Sequence, residues 1–340
     1  METSDPDATQ RLVIALGDPA GIGMEVTLKA LASPELPKAM KPVLVGCRRT
    51  LLETHDRLLR LGCTALADPE QLTIVDRPLT GPLQPGQGDD RSGEASFHWL
   101  TVAVDQLVTG GARALVTAPI AKHLWHAAGH IYPGQTERLA ELAGCRQASM
   151  LFTARSPLSG WRLNTLLATT HIPLQQVPVV LNEGTLVDKL NALLAFCQRF
   201  HPRPHLAVAG LNPHAGEEGR LGAEENDWIR PALDRWRLAH PGVRLDGPLP
   251  PDTCWLTAGR AWQGLDQDKA PHGYLALYHD QGLIPVKLLA FDAAVNTTLN
   301  LPFLRTSPDH GTGFDIAERG IARPHSMLAA IQAAWELTTP

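Results

Sequence analysis

Three of the chain's fourteen histidines share a setting that could do chemistry. His171 follows the apolar run from Leu163 to Thr169, His214 the run from His205 to Gly210, and His279 the run from Gly273 to Tyr278. Each stands before a turn containing Pro or Gly. In a parallel α/β sheet the ends of such strands lie on one edge, where ligands bind. Three imidazoles converging there leave an open fourth position, the arrangement of a catalytic divalent metal. The spacings are long, unlike a local H-x-x-x-H pair, so from the residues alone separate histidines at loop starts remain the alternative. His98, His126, His201 and His240 sit on or beside expected helices without pattern, and solvent or packing accounts for them.

A second group follows the third histidine. Lys287, Asn296 and Arg305 are each flanked by apolar residues. Polar groups in such sequence are costly to bury without a partner. Lysine and arginine point to an anionic ligand, and arginine grips carboxylate or phosphate with two parallel hydrogen bonds. A buried ion-pair network would leave the same signature. Upstream, Gly134-Gln135-Thr136-Glu137 opens a helix, where Thr136 either caps the helix or offers its hydroxyl to an anion. Gly247 to Thr253 reads as a stiff loop presenting Asp252, and Asp280-Gln281-Gly282 as a turn.

Repeated strand–helix alternation positions these residues. Leu12 to Leu16, Pro42 to Gly46, Leu72 to Val75 and Ala114 to Thr117 read as buried strands. Phe97, Leu100, Val104, Leu107 and Val108 mark one face of a helix. The pattern predicts a mostly parallel sheet covered on both faces. Gly17-Asp18-Pro19-Ala20-Gly21-Ile22-Gly23, between strand and helix, is either a phosphate cradle or a tight turn with Asp18 as the helix cap. Its spacing is not the dinucleotide fingerprint G-x-G-x-x-G. The pattern breaks at Gly129 to Gly134. The expected organisation is a disordered tail over residues 1–10, a first α/β domain over 11–130 plus 301–340, and a second over 131–300.

At 340 residues and 44% hydrophobic, the chain can fill two cores, and its net charge of −5 gives no footprint for nucleic acid. Five scattered cysteines without C-x-x-C spacing argue for reduced thiols and a cytoplasmic setting. The acidic start reads as a frayed tail rather than a signal peptide, and no apolar run approaches membrane-spanning length.

The runs G-D-P-A-G-I-G (17–23), G-Q-T-E (134–137), T-T-H-I-P-L (169–174), L-N-P-H-A-G-E (211–217), G-P-L-P-P-D-T (247–253) and Y-H-D-Q-G-L (278–283) occur in that order. With V-N-T-T-L-N-L-P-F-L-R-T-S-P-D-H-G-T (295–312), the chain resembles the 4-hydroxythreonine-4-phosphate dehydrogenase family of pyridoxal phosphate synthesis over about residues 11–330. The resemblance implies oxidation of 4-phosphooxy-L-threonine by NAD or NADP to 2-amino-3-oxo-4-phosphooxybutanoate, which loses carbon dioxide to give 3-amino-2-oxopropyl phosphate. It implies a divalent metal (zinc, magnesium or cobalt) held by His171, His214 and His279 at a homodimer interface. Substrate contacts carry over to Thr136, Lys287, Asn296 and Arg305. On chemical grounds Lys287 or Asp252 is the candidate to move the proton. The implied fold is two α/β/α domains flanking an active-site cleft, similar to isocitrate and isopropylmalate dehydrogenases, which bind nicotinamide cofactors without the glycine fingerprint. The residues that bind the cofactor are not indicated.

One position departs. The family usually has G-H-T-E, and here Gln135 replaces the histidine. Glutamine donates hydrogen bonds but carries no titratable proton, so it can bind phosphate but not act as acid or base. That leaves room for another phosphorylated four-carbon acid, such as threonate or erythronate phosphate, as substrate. A non-catalytic metal- or phosphate-binding relative is the remaining alternative.

Overall fold

The structure, a computed structural model, describes residues 8–145 and 148–339. Of the expected tail, Met1 to Asp7 lie outside the described residues, while Ala8–Gln10 form a 3-10 turn into the first strand. The chain makes two compact units, one of Met1–Ala148 with Val295–Pro340 and one of Ser149–Ala294.

The first unit opens with β1 (Arg11–Ala15), α1 (Gly23–Leu31), β2 (Lys41–Gly46), α2 (Arg48–Arg60), β3 (Thr73–Asp76), α3 (Asp90–Val108), β4 (Ala114–Thr117), α4 (Lys122–Ala127) and α5 (Gln135–Leu142). The second contains β5 (Ser149–Arg155), β6 (Arg162–Leu167), α6 (Val177–Val180), α7 (Glu183–Gln198), β7 (His205–Ala209), α8 (Arg230–Ala239), β8 (Arg244–Leu249), α9 (Leu256–Trp262), β9 (Gly273–Ala276) and α10 (His279–Ala290). The chain returns to the first unit with β10 (Val295–Leu299), β11 (Leu304–Pro308) and α11 (His325–Glu336).

In the first unit β3, β2, β1, β4 and β11 are parallel neighbours, and β10 runs antiparallel to β11. Leu12, Val13, Ile14, Ala15 and Leu16 are all buried, as both covered faces of a parallel sheet require. α3 starts at a capping box. The Asp89 carboxylate accepts from Ser92 N at 3.0 Å, and Ser92 Oγ accepts from Asp89 N at 3.1 Å. Its face of Phe97, Leu100, Val104 and Leu107 is buried, but Val108, the last helical residue, is exposed.

The first unit runs past the Gly129–Gly134 break to Ala148 because α5 packs back on α3. The Arg138 guanidinium lies 4.6 Å over the Phe97 ring and donates to Thr101 Oγ1 at 3.2 Å. The unit also takes β10, through its ladder with β11. The second unit therefore spans Ser149–Ala294, narrower than 131–300.

In the second unit β6, β9, β7 and β8 are parallel neighbours in that order, with β5 antiparallel to β6. Phe152, Leu163, Leu167, Trp262, Tyr274, Leu283 and Val286 fill its core. The Asp280–Gly282 segment is not a turn but the first turn of α10. Gly282 is there for close packing: a Cβ would meet Leu167 at 2.6 Å and Ala276 at 2.9 Å. Glycine read as a turn signal was instead a contact signal between helix and sheet.

Candidate active site

The parallel order of β6, β9, β7 and β8 puts the segments bearing His171, His279, His214 and Asp252 on one edge of the second unit's sheet. The rings of His171 and His279 lie 5.5 Å apart between centroids. His279 Nδ1 donates to Asp280 Oδ1 at 2.7 Å, which leaves Nε2 with its lone pair for a cation or a proton. His214 is exposed on the turn after β7. That turn is backbone-strained: His214, Ala215, Glu217 and Glu218 have φ of 52°, 51°, 41° and 58° around Gly216 at 81°. Left-handed backbone costs a residue with a Cβ roughly 1–2 kcal/mol, so four such residues need outside support. Among the described residues, no group of three His, Cys, Asp or Glu within one chain is placed to hold a metal. The structure thus brings together two of the three expected ligands. Asp252 is exposed on the turn after β8, and half-buried Lys287 has its Nζ 5.9 Å from the Phe291 ring centroid.

The first unit holds the remaining residues. Arg305, on β11, is 3% exposed. Its Nε and Nη2 donate to Thr117 Oγ1 at 3.0 and 2.6 Å, and Nη1 donates to Thr298 Oγ1 at 3.2 Å. Burial pushes its pKa down to about 10, offset in part by Glu137, so it stays charged at neutral pH. Among the described residues its hydrogen-bond partners are neutral hydroxyls. Arg305 pairs with Thr298 and Ser307 with Asn296, so Arg305 and Asn296 share one sheet face. Asn296 Oδ1 is buried and accepts no hydrogen bond. The buried guanidinium can donate to an anion, and the unsatisfied Asn296 Oδ1 beside it can accept from a hydroxyl or amine, so the two are complementary to an anionic group that also carries a donor.

At α5, Gly134 holds the cap position with no side-chain hydrogen bond, and Thr136 is the second helical residue. Thr136 is therefore not the cap. Gln135 Nε2 donates to the Ala118 carbonyl at 3.1 Å, which ties the helix start to the loop after β4 and leaves its second N–H.

Asp18 is a site that sequence reasoning passed over as a helix cap. Ile22 is the residue before α1, and no side chain caps it. Asp18 is wholly buried, its Oδ1 accepting from Ala20 N at 2.9 Å and its Oδ2 from Ser92 Oγ at 3.3 Å. Burial raises its pKa from 3.8 to about 6. The folded state thus binds this proton more tightly than the unfolded chain, and stability from this group falls as pH rises through about 6. Asp18→Asn should gain roughly 1–3 kcal/mol in urea unfolding at pH 7.5, with the gain shrinking toward zero near pH 4. A loss of stability that grows as pH rises would mean that the carboxylate serves as an essential charged acceptor.

Comparison with known proteins follows the same lines. The family described as "Pyridoxal phosphate biosynthetic protein PdxA" matches residues 38–334. The 4-hydroxythreonine-4-phosphate dehydrogenase of Synechococcus sp. (strain RCC307) is 61% identical over 328 residues, covering 96% of this chain and 99% of that protein. The chain belongs to the PdxA family. A crystal structure of the Klebsiella pneumoniae 4-hydroxythreonine-4-phosphate dehydrogenase, 37% identical, superposes with a TM-score of 0.83 over 97% of this chain and all of that one. The D-threonate 4-phosphate dehydrogenase of Pectobacterium atrosepticum is 38% identical over 96% of this chain and 98% of its own length. A β-decarboxylating dehydrogenase from Thermococcus kodakarensis shares the fold alone, at 11% identity and a TM-score of 0.50 over 96% of this chain and 84% of that one. This PdxA-family chain is an α/β oxidoreductase, and none of its helices among the described residues is long and apolar enough to cross a membrane.

Proposed function

We propose that the chain oxidises the hydroxyl of 4-phosphooxy-L-threonine with NAD or NADP, giving 2-amino-3-oxo-4-phosphooxybutanoate, which loses carbon dioxide to 3-amino-2-oxopropyl phosphate. The observation that carries this reading is Arg305, a buried guanidinium whose hydrogen-bond partners among the described residues are hydroxyls, beside the unsatisfied Asn296 Oδ1. The guanidinium recognises the phosphate or carboxylate of an anionic substrate, and Asn296 Oδ1 accepts from that substrate's hydroxyl or amine. Thr136 and Gln135, at the uncapped start of α5, supply further donors to the same substrate.

The close His171–His279 pair, with His279 oriented by a carboxylate, has the chemistry of a divalent-cation site for zinc, magnesium or cobalt. His214 completes it from a second copy of the chain. Support for a homodimer comes from α10, where Ile284, Leu288 and Phe291 are 59%, 81% and 66% exposed at i, i+4 and i+7 on one helix face. A cation bound there supplies Lewis acidity to the substrate's reacting oxygen. Lys287, about two turns along α10 from His279, or Asp252 takes the hydroxyl proton. None of the five cysteines is in a disulfide, which suits a cytoplasmic enzyme.

Gln135 and the D-threonate 4-phosphate relative favour a second reading, in which the substrate carries a hydroxyl in place of the amine. Gln135→Ala should lower kcat/KM for the phosphorylated substrate roughly ten- to a hundredfold through KM, with metal content unchanged, as loss of one neutral bond to a charged group predicts. If the Ala118 bond is its whole role, the melting temperature falls and kcat/KM barely moves. The activity itself is tested by NADH or NADPH formation from 4-phosphooxy-L-threonine before and after chelation. Turnover that a chelator leaves unchanged contradicts the metal, and no turnover contradicts the substrate.

A further inference from the structure

Of the five left-handed residues from His214 to Glu218, His214, Glu217 and Glu218 are exposed and Ala215 and Gly216 are buried. Strained backbone of this kind persists only where its surroundings over-determine it. The support is Glu225, a carboxylate with 0% exposure. Its Oε1 accepts from Leu211 N at 2.7 Å and Asn212 N at 2.8 Å, the two amides that lead into the turn. Its Oε2 accepts from Asn212 Nδ2 at 2.9 Å, and the same amide group donates to Glu224 Oε2 at 2.8 Å. Two glycines make the room. A Cβ on Gly216 would meet Glu225 Oε2 and the Gly222 carbonyl, both at 2.8 Å, and one on Gly222 would meet Asn212 Nδ2 at 2.2 Å.

We propose that Glu225 is a positioning residue for His214: its buried carboxylate grips the backbone on the entry side of the left-handed turn and fixes where the imidazole is presented. The inference rests on the reading of His214 as one of the three cation ligands. A buried carboxylate spent wholly on an exposed turn gains the fold little, but it does hold one ligand to a fixed place across a subunit boundary. Placement of ligands by such outer groups is a general feature of metal sites.

The test is Glu225→Gln in the full-length protein, stripped of metal and titrated with Co2+ alone. Glutamine keeps the volume and one carbonyl for the two amides, but it turns a donor toward the Asn212 amide. The expected results are faster hydrogen exchange at Leu211 and Asn212, and Co2+ affinity weaker by roughly ten- to a hundredfold, read from the visible absorption of the bound ion. Gly216→Ala, which keeps the carboxylate but displaces the turn, should weaken Co2+ in the same way and serves if Glu225→Gln does not fold. Faster exchange with wild-type Co2+ affinity overturns the proposal, because Glu225 then only stabilises the loop. His214→Ala separates the two levels of the argument. If it binds Co2+ as tightly as wild type, the ligand reading fails and the positioning role with it. If it loses Co2+ while Glu225→Gln does not, only the positioning role fails.

Discussion

Arg305→Met should raise KM for the phosphorylated substrate by roughly a hundred- to ten-thousandfold while leaving the protein as stable as before or more so. The two halves of this result have one cause. Arg305 is a buried charge whose partners are the hydroxyls of Thr117 and Thr298. Without an anion its desolvation is offset only in part, by those hydroxyls and by Glu137, as its lowered pKa reflects. An apolar side chain of similar length removes that cost, worth about 1–4 kcal/mol in comparable buried sites. With the anion, two charge-assisted bonds are lost, each worth about 1.5–3 kcal/mol. Steady-state kinetics and a melting curve on one variant decide it. A fall in melting temperature with KM unchanged would make Arg305 a structural pin for β4, β10 and β11.

His214→Ala and Lys287→Ala should each be nearly inactive alone, yet mixing the two unfolded-and-refolded proteins should recover about a quarter of wild-type activity. The figure follows from symmetry. Random pairing makes about half the dimers mixed, and in each mixed dimer one site collects both defects while the other is intact. The argument depends on His214 serving the site whose His279 and Lys287 lie on the other chain's α10. Among the described residues of one chain His171 and His279 are found together, at 5.5 Å between rings, without a third ligand, and α10 carries the exposed apolar face of Ile284, Leu288 and Phe291. Recovery near zero at equal mixing, with mixed dimers confirmed, would place all three histidines in one chain's site.

Much of this was legible in the sequence because hydrophobic runs report buried strands directly. Leu12 to Leu16 and Gly273 to Tyr278 could be placed from composition alone, and parallel neighbours then put the three histidine-bearing loops on one edge. Elements that rest on longer-range packing were harder to see. Asp280-Gln281-Gly282 has turn chemistry, and only the close approach of Leu167 and Ala276 shows why a helix needs that glycine. β10 and β11 were missed as strands because Asn296, Thr298, Arg305 and Ser307 interrupt the apolar pattern, although those polar residues are the candidate site itself. Arg138 reaching back to Phe97 moves the unit boundary past α5, a contact no local pattern encodes. Glu225 lacked a signal of its own. The nearest was the glycine spacing of Gly216, Gly219 and Gly222 before two glutamates, which marks a tightly built turn without saying what holds it.

The central claim is that these residues oxidise a phosphorylated hydroxy acid with help from a cation. The most direct measurement is kcat/KM of the metal-loaded protein for 4-phosphooxy-L-threonine and for D-threonate 4-phosphate, with reduced nicotinamide and carbon dioxide measured together. Preference for 4-phosphooxy-L-threonine, equal yields of the two products and loss of both on chelation are predicted. Preference for D-threonate 4-phosphate would move the substrate to the second reading. Reduced nicotinamide from neither compound would contradict the account.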